Sequence, residues 1–101
     1  MNISITQNGT ETTIALEGRL DTNTSPELET KLETIPDDVT AIHFDFGELR
    51  YVSSAGLRLL LVLQKKMNAS GGKMIIHNPN ELIMEVFEAT GFSDILTIEN
   101  A

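Results

Sequence analysis

The sequence has no cysteine and no tryptophan, and among its 101 residues there are only three prolines, one tyrosine and two histidines. Without cysteine there is no thiol nucleophile, no disulfide and no thiolate metal site. Cations are scarce as well. Seven lysines and arginines stand against fifteen aspartates and glutamates, a formal net charge of −8, and the seven are scattered along the chain. Nucleic acid and anionic membranes are held by clustered cations, so both are poor partners for such a surface, and a basic protein patch suits it better. Long apolar runs are also missing: the longest, Leu59 to Leu63, has five residues, far short of the ~20 that span a membrane. Met1-Asn2-Ile3-Ser4-Ile5-Thr6 lacks the positive region and apolar stretch of a secretory leader. The expected location is the cytoplasm.

What is present is the material of one α/β domain over residues 1–101. The hydrophobic fraction of 41% and charged fraction of 22% are ordinary for a globular protein. Ile3 and Ile5 alternate with polar residues, and alternation resumes in Thr12-Thr13-Ile14-Ala15-Leu16-Glu17-Gly18 beyond Asn8-Gly9, which predicts a hairpin. Gly18 to Asn23 reads as a polar loop. Thr24-Ser25-Pro26-Glu27 predicts a helix start, either a capping box from Thr24 to Glu27 or a Ser25 cap with Pro26 at N1. Leu28, Leu32 and Ile35 form its buried stripe, and Pro36 ends it. Val39 to Phe46 predicts a central strand with Ile42, Phe44 and Phe46 on one face and Ala41, His43 and Asp45 on the other. A second helix follows to about Asn68, with Leu57, Leu60, Leu61 and Gln64 on one side, and Ser70-Gly71-Gly72 stops it. Lys73 to His77 reads as a short buried strand. Asn78-Pro79-Asn80 opens a third helix with Leu82, Ile83, Val86 and Phe87 inward and Gly91 after its last turn, and Ile95 to Ile98 is a last strand. The order ββαβαβαβ predicts a mixed, mostly parallel sheet of about five strands.

Chemistry concentrates in Tyr51-Val52-Ser53-Ser54-Ala55-Gly56-Leu57-Arg58, where adjacent hydroxyls sit at a helix start. One serine can be simply an N-cap, worth ~1 kcal/mol. The sharper reading is a covalent switch, because a helix N-terminus tolerates a phosphate while the surface gains roughly −1.5 to −2 charges. A serine nucleophile is disfavoured: there is no Gly-x-Ser-x-Gly, and His43 and His77 lie in or at the end of strands with no evident carboxylate partners. Asp45, placed near a strand end, reads as a solvated acid or a hydrogen-bond partner of the neighbouring loop. Arg58 opposes the helix dipole and reads as a solvent-exposed arginine or as the pair of an outside anion. No cofactor motif, phosphate loop or metal-ligand spacing is present.

Glu17-Gly18-Arg19-Leu20-Asp21 with Ser25-Pro26, Phe44-Asp45-Phe46, Val52-Ser53-Ser54-Ala55-Gly56-Leu57, Asn78-Pro79 and Val86-Phe87-Glu88-Ala89-Thr90-Gly91-Phe92 occur in the order of the signature segments of a known family. Together they resemble the STAS domains, named for sulphate transporters and anti-sigma factor antagonists. The resemblance implies a non-enzymatic partner-switching protein. It would bind an anti-sigma factor serine kinase of the histidine-kinase-like ATPase superfamily when unphosphorylated, be released on serine phosphorylation, and be reset by a PP2C-type phosphatase. Alignment on Gly56-Leu57 puts Ala55 at the hydroxyl position directly before the glycine, which leaves Ser54, then Ser53, as acceptors. The partner surface implied comprises Asp21, Asn23, Thr24 and Ser25 of one loop with Ser53, Ser54, Ala55, Gly56 and Arg58 of the other. The alternatives are a constitutive STAS scaffold or ligand-binding subunit of a transport or sensory assembly, and an enzyme or phosphotransfer protein working through Asp45 or a histidine.

Overall fold

In a computed structural model, which describes residues 1–100, the expected hairpin forms from β1 (Asn2–Asn8) and β2 (Glu11–Leu20), antiparallel, with Asn8 opposite Glu11. Ala101, the last residue of the expected domain, lies outside the described residues. The two-residue turn needs a left-handed backbone, and Gly9, at φ 65°, supplies it without steric cost. Then come α1 (Ser25–Leu32), β3 (Ala41–Val52), α2 (Ser54–Ser70), β4 (Lys73–His77), α3 (Glu81–Thr90), a single 3₁₀ turn at Phe92–Asp94 and β5 (Thr97–Glu99). The sheet order is β1-β2-β3-β4-β5, and every pairing beyond the hairpin is parallel. The mostly parallel α/β sheet of five strands is therefore as expected.

Alternation along the strands decides which sheet face is covered. Ile14 and Leu16 of β2, Ile42, Phe44 and Phe46 of β3 and Met74 and Ile76 of β4 join Leu28 of α1, Leu57, Leu60 and Leu63 of α2 and Ile83 and Phe87 of α3 in one buried cluster. All three helices thus contribute to the core on the same side of the sheet. Thr13, His43, Asp45 and His77 point to the other side, where they are half-buried or exposed.

Several boundaries depart from the sequence reading. The segment from Gly18 to Leu20 is strand, not loop, and β3 runs to Val52 instead of ending at Phe46. The extension is held by pairing of Gly18 with Leu49, Arg19 with Tyr51 and Leu20 with Val52, across two register shifts that break simple alternation. Asp45 consequently sits inside β3 and not at its end. Helix α1 stops at Leu32, three residues before Ile35, in tight turns in which Thr34 N–H donates to Lys31 O and Ile35 N–H to Leu32 O; the approaching Pro36 disfavours helical backbone before it. Helix α2 extends to Ser70 before the left-handed Gly71. Leu61 is only partly buried, and Leu82, expected inward, is 50% exposed. With only Ile83 and Phe87 fully inside, α3 presents a narrow apolar face. The last strand begins at Thr97, because Phe92–Asp94 and Ile95 form a 3₁₀ turn that leaves Ile95 exposed.

Candidate partner-binding and modification site

The carboxyl ends of β2 and β3 lie side by side, so the residues that follow them become neighbours. Ser53 N–H donates to Leu20 O at 2.8 Å, joining the start of α2 to the start of the 21–25 loop. Loop order comes from its own short polar side chains. Asp21 Oδ1 accepts from the N–H groups of Asn23 (2.9 Å) and Thr24 (3.1 Å). The Thr24 hydroxyl donates to Arg19 O at 2.7 Å and accepts from Asp21 N–H at 2.8 Å, and Ser25 N–H donates to Asp21 O. This network overturns the expected capping box. Thr24 occupies the N-cap position of α1, but its backbone is helical (φ −100°, ψ −20°) and its hydroxyl is committed to the loop, so it makes no cap bond, and Pro26 follows at N2. Partial desolvation pushes the Asp21 carboxyl up, yet the donors from Thr24 and Asn23, the Thr24 hydroxyl and the Arg19 guanidinium outweigh it. The net result is a carboxyl held below the usual aspartate value of 3.8.

The exposed Arg19 guanidinium lies 4.6 Å from the centre of the Tyr51 ring. Ser53 is the N-cap of α2: its backbone is extended (φ −91°, ψ 177°) and its hydroxyl accepts from Gly56 N–H at 3.4 Å. Ser54 follows at N1 and is exposed. Gly56 is buried because the helix start closes directly on the sheet; a Cβ there would lie 2.8 Å from Leu20 Cγ and 3.0 Å from Val52 Cγ1. Arg58 is exposed, one turn beyond Ser54, and has no ion-pair partner among the described residues.

The two loops thus meet, and they frame a cleft that the sequence did not disclose. Its walls are Thr22, Ser25, Pro26 and Glu29 on one side and Ala55, Arg58, Leu59 and Val62 on the other, enclosing about 210 Å³. Val62 is 58% exposed, and the buried Ser25 hydroxyl has no partner. The signal available in the sequence was Val62 itself, an apolar residue off the buried stripe of α2. Of the other candidates, Asp45 accepts from Gly47 N–H at 2.9 Å and is exposed on the far sheet face. His43 does have a carboxylate partner, contrary to expectation: Glu11 reaches it from the neighbouring strand. Among the described residues no helix is long and apolar enough to cross a membrane.

Residues 2–101 match the family model described as STAS domain. The chain is similar to the anti-sigma-B factor antagonist of Bacillus subtilis (strain 168), 24% identical over 98 residues, covering 97% of this chain and 90% of that protein. Its fold is that of the anti-sigma factor antagonist SpoIIAA in its unphosphorylated form, with a TM-score of 0.85 at 24% identity over 99% of this chain and 88% of that one. The phosphorylated form of the Bacillus cell fate determinant SpoIIAA matches with a TM-score of 0.78, also at 24% identity, over 99% and 91%.

Proposed function

This chain belongs to the STAS domain family, and from that premise we propose that it is an anti-sigma factor antagonist that works by partner switching. It has no catalysis of its own. In the cytoplasm it binds an anti-sigma factor serine kinase of the histidine-kinase-like ATPase superfamily while unphosphorylated, leaves it when phosphorylated, and is reset by a PP2C-type phosphatase. Support comes from the name of the Bacillus subtilis relative and from the existence of SpoIIAA in both unphosphorylated and phosphorylated forms.

The observation that carries the reading is the division of labour between the two serines. Ser53 is spent on the cap bond, and Ser54 is exposed beside it at N1. A phosphate on Ser54 leaves the cap in place and meets the unpaired N–H groups of the first turn. That turn contains no acidic residue, so nothing there repels the added charge, and Arg58 stands at i+4 to pair with it. A phosphate on Ser53 would displace the cap. Ser54 is therefore the acceptor, with Ser53 second. Fold and helix survive the modification, while the surface beside the 21–25 loop and the Arg58 cleft becomes more negative by roughly 1.5 to 2 charges for any approaching partner.

Incubation with the cognate kinase and ATP, followed by mass spectrometric mapping, is expected to place one phosphate on Ser54 and to lose it in Ser54→Ala. Phosphate absent from both serines removes the switch and leaves the fold untouched. Ser54→Asp is expected to weaken kinase binding about tenfold or more, the effect of a charge-sensitive contact worth about 1.4 kcal/mol; unchanged affinity in a titration would count against this surface.

A further inference from the structure

The sheet face opposite the helices carries a second polar cluster that partner switching does not use. Three strands build it. His43 of β3 has Nε2 2.9 Å from Glu11 Oε1 of β2 and Nδ1 2.9 Å from His77 Nε2 of β4. A carboxylate only accepts, so the proton on His43 resides at Nε2, and its Nδ1 lone pair faces His77. The imidazole planes are 26° apart with centroids separated by 5.1 Å, about the nitrogen gap plus one ring radius at each end. The rings therefore meet edge to edge, with one proton held between two nitrogens. The cluster borders a cleft of about 440 Å³ open to solvent, which Asp45 and Asn78 also line.

We propose that the edge shared by His43 Nδ1 and His77 Nε2 is a binding site for a divalent cation of the zinc or nickel class, with Glu11 as the orienting carboxylate behind it. Imidazole nitrogen is the ligand this class prefers. Tetrahedral coordination at about 2.0–2.1 Å asks for nitrogens about 3.3 Å apart, so the rings separate by a few tenths of an ångström and tilt. Both side chains are half-buried with one side toward solvent, which leaves them free to do so. Binding moves the proton of His77 from Nε2 to its Nδ1, a tautomer change that leaves the ring neutral and its Nε2 lone pair free, and the Nε2–H donated to Glu11 fixes the His43 tautomer that ligates through Nδ1, the carboxylate–histidine–metal arrangement of many sites. Among the described residues no three His, Asp or Glu side chains are already gathered as a cage, so the remaining positions belong to water. The surrounding charge favours a cation: Asp45 and Glu99 flank His77 in register on β3 and β5, and Lys73, beside Ala41, is the opposing charge on β4.

The test is titration of the full chain with zinc or nickel alone, followed by calorimetry and by NMR of the histidine rings. Saturable binding of one equivalent is expected, with shifts at the His43 and His77 rings, loss of binding in His43→Gln and His77→Gln, and affinity about 10–100-fold weaker in Glu11→Gln at unchanged stoichiometry. Absence of saturation, or binding that persists unchanged in the double histidine variant, overturns the site. If the histidine variants unfold, the ring signals of the wild-type chain decide, and rings unmoved by saturating zinc overturn it equally. Phosphorylation of Ser54 plays no part in these measurements, so failure here leaves the switch reading standing.

Discussion

Ser53 and Ser54 are adjacent and chemically identical, yet their hydroxyls have different surroundings. Ser53→Ala removes the acceptor for Gly56 N–H and is expected to cost about 0.5–1 kcal/mol, toward the lower end of the N-cap range because the bond is long at 3.4 Å. Ser54→Ala touches no bond of the fold and is expected to stay within about 0.5 kcal/mol of the parent. Urea unfolding of both variants checks the contrast, and equal losses would mean that Ser53 is not the cap. Asp21 makes a second residue-level case. Its folded carboxyl titrates below 3.8, so the stabilisation it gives the 21–25 loop is full above the unfolded value and is lost as pH falls through the depressed folded one. An NMR titration is expected to place the Asp21 midpoint under 3.8, with the Asn23 and Thr24 amides moving at the same pH; a midpoint at or above 3.8 would dissolve the argument that these donors order the loop.

At the scale of elements, the long β3 explains how α3 is placed. The residues of β3 beyond Phe46 supply backbone carbonyls that a helix start can read: Asn80 Nδ2 donates to Leu49 O at 3.1 Å and Arg50 O at 3.2 Å, while Asn80 Oδ1 accepts from Ile83 N–H at 2.7 Å. One amide thus caps α3 and fastens it to the strand that delivers Ser53. Aspartate caps helices as well as asparagine does, but it has no N–H to give and would set a carboxylate against two carbonyl oxygens. Asn80→Asp is therefore expected to destabilise by about 1–3 kcal/mol despite preserving the cap, measured by denaturant midpoint at constant slope. An undiminished midpoint would show that the fastening to β3 contributes nothing. Sequence reading found this helix start, since Asn-Pro-Asn before an apolar-periodic stretch is a local signal, but the length of β3 was out of its reach. Gly47-Glu48 interrupts the alternation, and only the register shifts against β2 show that the strand continues through it.

Across the whole molecule, what was legible follows the same division between local and pairwise information. Hairpin and helix starts are each written in a few consecutive residues, and the sheet's parallel character in the alternation of strands and helices; the Asp21 loop meets the Ser53 helix because successive parallel strands end at the same edge. The Glu11–His43–His77 cluster spans β2, β3 and β4 and exists only once Thr13 pairs with His43 and Asp45 with His77; no spacing in the chain announces it. The strand order itself carries a prediction. β3 has neighbours on both sides and contributes Ile42, Phe44 and Phe46 to the core, whereas β1 pairs only with β2 and β5 pairs over three residues with β4. Amides at the centre of a sheet open only with the whole fold, and edge amides open locally at lower cost. Hydrogen exchange is accordingly expected to be slowest at Ile42 and Phe44, at the free energy of global unfolding, and faster by at least about tenfold, or ~1.4 kcal/mol, at Thr97 to Glu99. Equal protection in β5 and β3 would mean that the short edge strand is held by more than its pairing with β4, and the central strand would lose its place as the last element to open.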